Sequence, residues 1–244
     1  PYTAKLLPNI PHFFLNNSFF IKKGGKILDP FCGSGTVLLE GKFANLDPYG
    51  SDSNPLARLI TRVKCNNFDI DQIHEYNIFL KNTINNSDDN VFLIKEKNID
   101  FWFEPHVKKQ LSIIRNAIVQ IDNIKYREFY FVCFSNCVRK VSFADSRISV
   151  PVKINPDRYS DESKQKKNSQ KKLEDIKSIN VFNKFFEIVN KNIKRIKNKS
   201  YINPSKNVGK VVSEDSRNLN TLKDNSIDLI LTSPPYAGAQ KYIR

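Results

Sequence analysis

The stretch "KILDPFCGSGT", residues 26 to 36, constrains the fold more than any other part of the chain. Lys26 to Leu28 suit a short buried strand, and the next residues form a loop carrying Gly33 and Gly35. Val37, Leu38, Gly41 and Phe43 then supply the inner face of a helix expected from Thr36 to Ala44. A glycine turn between strand and helix lets a ligand approach the backbone, with the helix N-terminus behind it. The loop is not a Walker loop, because no Gly-Lys-Ser/Thr follows. It also lacks the third glycine of a dinucleotide fingerprint.

A second strand is expected near Pro48 to Ser51, ending at Asp52, followed by a helix from Pro55 to about Asn66 with proline at a favoured first-turn position. This β-loop-α-β-α order opens a doubly wound parallel α/β sheet. At the tip of the second strand, Asp52 can accept both hydroxyls of a ribose. Asp52 or Ser53 equally suits a helix N-cap, and one residue can do both.

Beyond Phe68 the periodicity turns helical. Val107, Leu111, Ile114, Ile118 and Ile121 step by four and three, as one helix face does. The run from Tyr126 to Val141 is apolar on more than one side and reads as a buried helix. Residues 155 to 172 are charged and without apolar periodicity, so a mobile loop or flexible basic linker is expected there. Leu173, Ile176, Phe182, Phe185, Val189, Ile193 and Ile196 then mark one long amphipathic helix. Strands return at Gly209 to Ser213 and at Ile227 to Leu231. The expected organisation is a first half of the sheet over 1–67, a largely helical insertion over 68–205, and a return to the sheet over 206–244.

The net charge of +14 favours an acidic partner, nucleic acid before membrane. Residues 153 to 210 hold sixteen Lys/Arg against six Asp/Glu, so the insertion carries most of that surplus. No apolar stretch approaches the roughly 20 residues of a membrane span, and no leader pattern is present, so a soluble cytoplasmic protein without a membrane partner is expected. Cys32, Cys65, Cys133 and Cys137 show no CxxC spacing and no clustered histidines, which argues against a disulfide framework or a metal site. The chain contains no methionine and starts inside a candidate motif, so it is expected to be a fragment.

"DPFCGSG" and "GSDSNPLA" together resemble motifs I and II of the S-adenosylmethionine-dependent class I methyltransferases, which have a Rossmann-like fold. The opening Asp-Pro-Phe resembles the amino-methylating DNA enzymes in particular. The resemblance implies that Asp29, Pro30, Phe31, Gly33 and Gly35 wrap the methionine and adenosine portions of S-adenosylmethionine, while Asp52, with Ser53 beside it, holds the ribose. Pro1 to Lys5 are similar to motif X, which implies that Lys5 or its neighbour Tyr2 approaches the cofactor carboxylate. "SEDSRNL", Ser213 to Leu219, resembles motif III, which implies that Asp215 and Ser216 lie near the adenine.

Thr232-Ser233-Pro234-Pro235-Tyr236 resembles motif IV, the catalytic element, with Thr232 on its cofactor side. An exocyclic amine is a poor nucleophile, because its lone pair is delocalised into the ring. Hydrogen bonds from that amine to the Ser233 hydroxyl and to a carbonyl of Pro234 or Pro235 would favour a pyramidal nitrogen aimed at the methyl group. Tyr236 would stack on a base turned out of the duplex. Ser before Pro-Pro-Tyr is typical of cytosine-N4 enzymes, Asp or Asn of adenine-N6 enzymes. Cytosine-C5 chemistry uses a Pro-Cys nucleophile, and the chain has no such pair.

The expected partner is double-stranded DNA, with a cognate restriction endonuclease if the chain serves a restriction-modification system. "VRKVSFADSRISVP" resembles a stretch of some large family members and places Arg139, Lys140 and Arg147 as candidate DNA-backbone contacts or as a solvated edge. "NIDFWFEPH" could stack a base, although aromatic packing before a helix begun at Pro105 accounts for it better. Two other functions remain open. One is a tRNA guanine-N2 methyltransferase, whose motif I looks much the same. The other is a non-catalytic DNA-binding module, since further strands follow motif IV in the resembled family.

Overall fold

The computed structural model describes residues 6–87, 93–145, 147, 152–202 and 207–234, with the backbone alone over 199–202. Two compact units emerge, Pro1–Phe68 with Ile196–Arg244, and Asp69–Arg195.

The first unit contains the sheet. Its elements are α1 (Asn9–Leu15), β1 (Lys26–Asp29), α2 (Thr36–Phe43), β2 (Asp47–Ser51) and α3 (Pro55–Cys65), followed late in the chain by β3 (Lys210–Ser213) and β4 (Leu229–Ile230). The described strands form one parallel sheet in the order β3-β2-β1-β4. The chain steps from β1 outward through β2 to β3, then returns to the other side of β1, so the strand order reverses beside β1. In open α/β sheets the ligand crevice lies outside the strand C-termini at such a reversal. This is the expected doubly wound α/β sheet.

Parallel strands buried on both faces read as continuous apolar runs, and β1 does so with Ile27 and Leu28. Ile27 packs with Leu15, Ile21, Val37 and Leu46, and Leu38 packs with Cys32 and Cys65. Register is fixed at the β4 edge by Asp228 N–H donating to Lys26 O (2.9 Å), Lys26 N–H to the Asp228 carboxylate (2.7 Å) and Leu231 N–H to Leu28 O (3.1 Å). The Lys42 side chain is only 1% exposed, and its ammonium donates to Cys65 O (3.1 Å) and Asn67 Oδ1. It thereby satisfies carbonyls at the C-terminal end of α3, where a cation is favoured.

The second unit is helical, with α4 (Ile70–Asn85), α5 (Ile99–Trp102), α6 (Pro105–Val119), α7 (Ile124–Val141), α8 (Lys164–Lys177) and the first part of α9 (Val181–Ile202). Pro105 does begin α6, and Phe101 and Trp102 pack edge to face just before it. Val107, Leu111, Ile114 and Ile118 are buried on α6. The α7 helix buries one face, Tyr126, Phe129, Tyr130, Cys133, Cys137 and Val141, rather than several. The Tyr130 hydroxyl lies 2.9 Å from both Ile73 O and Asn77 Oδ1.

The segment expected as a mobile linker is helical from Lys164, because Ser163 Oγ accepts from Lys166 N–H (3.1 Å) and Ser169 and Ile176 are buried. The single long helix is two helices. Asn180 Oδ1 accepts from Asn183 N–H (3.0 Å) and starts α9 afresh after α8 ends at Ser178. A side-chain cap that satisfies an orphan N–H makes such a break cheap.

Candidate active site

The C-terminal tips of β1, β2, β3 and β4 carry the residues singled out by their chemistry. Asp29 ends β1 and is 3% exposed. Its Oδ1 accepts from Phe31 N–H (3.1 Å) and from the Thr232 hydroxyl (2.6 Å), which follows β4. Among the described residues nothing donates to Oδ2. Burial pushes the Asp29 carboxyl up to about 6, against the lowering effect of those two hydrogen bonds and with a further push from Asp52.

The glycine loop is held from β2 and α3. Gly33 N–H donates to Asp52 Oδ2 (2.8 Å), and Asn54 N–H to Asp52 Oδ1 (2.8 Å). Thr61 Oγ donates to Gly33 O (2.9 Å), and Lys64 Nζ to Ser34 O (2.9 Å). Gly35 sits at φ +71°, and a Cβ there would lie 2.7 Å from the Thr61 side chain. Both conformation and space therefore require glycine. Among the described residues the buried Ser34 hydroxyl has no hydrogen-bond partner, which is unusual in a native interior and leaves a polar atom in the loop for a ligand to satisfy.

Ser51 Oγ donates to Pro30 O (2.9 Å), as does Ser216 Oγ, and the two hydroxyls lie 3.1 Å apart. Arg58 forks onto Asp52 O (2.7 Å) and Ser53 O (3.0 Å) and reaches Glu214 (2.9 Å). One guanidinium thus ties the tip of β2 to the turn after β3. Asp215 accepts from Arg217 through both carboxylate oxygens, which holds its carboxyl low, at about 2.

With this geometry in hand, the chain can be compared with known proteins. The family model for UPF0020, RMKL-like, methyltransferase domain, matches residues 2–80. Over 98% of its length the chain is 28% identical to the type II methyltransferase M.MvaI of Kocuria varians, and it covers 52% of that protein. Over 117 residues, 46% of the chain, it is 30% identical to the type II methyltransferase M.MjaII of Methanocaldococcus jannaschii, of which this covers 21%. The resemblance to DNA methyltransferases holds. The chain spans about half the length of the first of these curated relatives and about a fifth of the second. No solved structure matches it. The parallel sheet with its flanking helices is the α/β fold of the class I methyltransferases.

Seen as a methyltransferase fold, the structure brings Asp29, Pro30, Phe31, Gly33, Gly35, Asp52, Ser53, Asp215, Ser216 and Thr232 to one end of one sheet. Phe31 and Ser53 are exposed there, as are Ser233 and Pro234 just beyond Thr232. Tyr2, Lys5, Pro235 and Tyr236 lie outside the described residues. Thr232 and Ser216 spend their hydroxyls on Asp29 and Pro30. The cap of α3 is neither Asp52 nor Ser53 but Asn54, whose Oδ1 accepts from Leu56 N–H (2.9 Å) and Ala57 N–H (3.3 Å). Arg139, Lys140 and Arg147 belong to the second unit. Arg147 is engaged within the protein, doubly paired to Asp145 (2.9 and 2.6 Å) and donating to Ser169 Oγ (3.0 Å).

Sequence reasoning missed Thr61 and Lys64, which grip the glycine loop, and Arg58, which holds the tip of β2. They recur at three-residue spacing on α3, and that spacing marks one helix face. Among the described residues no three His, Cys, Asp or Glu side chains gather as a metal site. No described helix is long and apolar enough to cross a membrane.

Proposed function

We propose that the chain belongs to an S-adenosylmethionine-dependent DNA methyltransferase that acts on the exocyclic amine of a flipped base, cytosine N4 before adenine N6. The Thr232–Asp29 hydrogen bond carries the reading, because it fixes Ser233 and Pro234 beside the loop that would hold the methyl donor. The relatives M.MvaI and M.MjaII, both type II methyltransferases, support it.

The residues present fit the cofactor. Bound S-adenosylmethionine supplies an electrophilic methyl on a sulfonium. The buried Asp29 carboxylate, whose Oδ2 meets no donor among the described residues, suits an ammonium group, and the Ser34 hydroxyl, likewise without a partner among them, offers a further polar contact. Asp52 uses one contact on each carboxylate oxygen for the backbone, which leaves lone pairs for two ribose hydroxyls. In this reading Tyr2 and Lys5 meet the cofactor carboxylate, and Ser53, Asp215 and Ser216 line the nucleoside side.

At the reacting end, Ser233 and a proline carbonyl accept hydrogen bonds from the amine and turn its lone pair toward the methyl group, while Tyr236 stacks on the base. Methyl transfer would form a carbon–nitrogen bond at the amine, break the carbon–sulfur bond of the sulfonium and release one proton from nitrogen to solvent. Arg139, Lys140 and the basic insertion supply contacts to the DNA backbone. A cognate endonuclease would be the partner in a restriction-modification system. The boundaries 1–67, 68–205 and 206–244 describe cofactor half, insertion and catalytic return.

Tritium transfer from labelled cofactor to duplex DNA, compared between the unmodified chain and Ser233→Ala, tests the proposal. Nucleoside analysis of the product is expected to yield N4-methylcytosine. N6-methyladenine would replace the base assignment, and label appearing in tRNA instead of DNA would favour the guanine-N2 alternative.

A further inference from the structure

The α8 helix carries its charges against its own electrostatics. A helix is favoured by acidic residues in its first turn and basic ones in its last. Here the first turn has no acidic residue and holds Lys164, Lys166 and Lys167, while the last turn holds Glu174 and Asp175 against one basic residue, Lys177.

The lysines divide by function. On the inward side, Lys166 pairs with Asp161 (2.5 Å), Lys172 donates to Ala144 O (2.7 Å), and Ser169 and Ile176 are buried. Lys164, Lys167 and Lys171 are exposed, and their ammonium groups have no ion pair or hydrogen bond among the described residues. At about 100° per residue they fall within roughly 60° of one another, opposite the buried side, and span about 10 Å. Like charges three and four residues apart repel, so this face costs helix stability.

The helix is nevertheless held in place. Arg147, doubly paired to Asp145 and stacked 5.0 Å from the Tyr159 ring centre, donates to Ser169 Oγ from the preceding segment. A face maintained against repulsion and against the macrodipole, within a segment of sixteen Lys/Arg and six Asp/Glu, is complementary to a polyanion.

We propose that Lys164, Lys167 and Lys171 of α8 contact backbone phosphates of double-stranded DNA, and that Arg147 is a positioning residue for α8 rather than a DNA contact. This rests on the reading that the chain acts on DNA. The contact is confined to the first two turns, because Glu174 and Asp175 would repel phosphate beyond them.

Fluorescence anisotropy with a labelled DNA duplex, titrated between about 50 and about 200 mM salt, tests it. Lys164→Gln, Lys167→Gln and Lys171→Gln combined should reduce the magnitude of the log affinity against log salt slope by about two to three, at about 0.9 per phosphate contact. The thermal midpoint of the same variant should be unchanged or higher, since repulsion is relieved. Arg147→Gln should speed hydrogen exchange of α8 amides. An unchanged slope in the triple variant overturns the lysine contacts. A slope reduced by about one in Arg147→Gln, with α8 exchange unaffected, overturns the positioning role. If the unmodified chain shows no salt-dependent binding to duplex DNA, the reading of DNA as substrate fails first. An α8-dependent slope seen with duplex RNA and not with DNA overturns the choice of DNA.

Discussion

The Thr232 hydroxyl donates to Asp29 Oδ1 at 2.6 Å, joining two strand tips 203 residues apart in the chain. The bond forms because β4 lies directly against β1, with Leu28 opposite Ile230. A buried carboxylate is costly unless its oxygens are satisfied, so the residue at the tip of β4 bears directly on the charge state of the loop it faces. Thr232→Val removes a hydrogen bond to the charged form and should push the Asp29 carboxyl above about 6, whereas Thr232→Ser should leave it there. A carbon-13 carboxyl titration reads this directly, and equal values in both variants would mean that the bond does not exist in solution.

Asp29 should also leave a mark on stability. Its carboxyl titrates at about 6 when folded and near 3.8 when unfolded, so the folded state holds the proton more tightly. The stabilisation is fully present below about pH 4 and is lost as pH rises through about 6. Asp29→Asn should therefore gain on the unmodified chain across that window, reaching a relative shift on the order of 2–3 kcal/mol above it. Urea melts at a series of pH values check this, and a difference that stays constant with pH would contradict it.

Arg58 and Glu214 should behave unequally although they form a pair. Glu214 is 77% exposed, and such pairs contribute about 0–1 kcal/mol, so Glu214→Ala should change little. Arg58→Ala removes the fork on the Asp52 and Ser53 carbonyls, and cofactor affinity should fall roughly tenfold, equivalent to about 1.4 kcal/mol. Calorimetric titration with S-adenosylhomocysteine separates the two, and equal losses would mean that the ion pair, not the fork, orders the strand tip.

All four cysteines are buried thiols outside any disulfide, and burial raises the Cys32, Cys133 and Cys137 thiols to about 12. The thiolate is the reactive form. An aromatic disulfide reagent at mildly alkaline pH should label none of them in the native chain and all of them in denaturant. A thiol that reacts rapidly in the native chain would contradict the burial.

The parts of this protein legible in its sequence are those whose signals are local. The β1 strand, its glycine loop and α2 are written within residues 26 to 44, and Asp52 follows at the spacing a parallel α/β unit imposes. The α8 helix was hidden, since only Ser169 and Ile176 are buried along it and its anchors, Ala144 and Arg147, precede it by about two dozen residues. The break between α8 and α9 turned on one capping side chain, Asn180, inside a continuous apolar pattern. Arg58, Thr61 and Lys64 escaped notice because polar residues at helical spacing read as a solvent face, while here they face loop carbonyls. The Thr232–Asp29 bond depends on β4 pairing with β1 instead of β3, which no local pattern states.

In the proposed function the tips of β1 and β2 form a binding site for S-adenosylmethionine. Calorimetric titration of the chain with S-adenosylhomocysteine, repeated on Asp52→Ala, tests it most directly. Saturable one-site binding is expected, weakening at least about tenfold in the variant, or about 1.4 kcal/mol, with circular dichroism unchanged. Binding of equal strength in both proteins, or none in either, would contradict it.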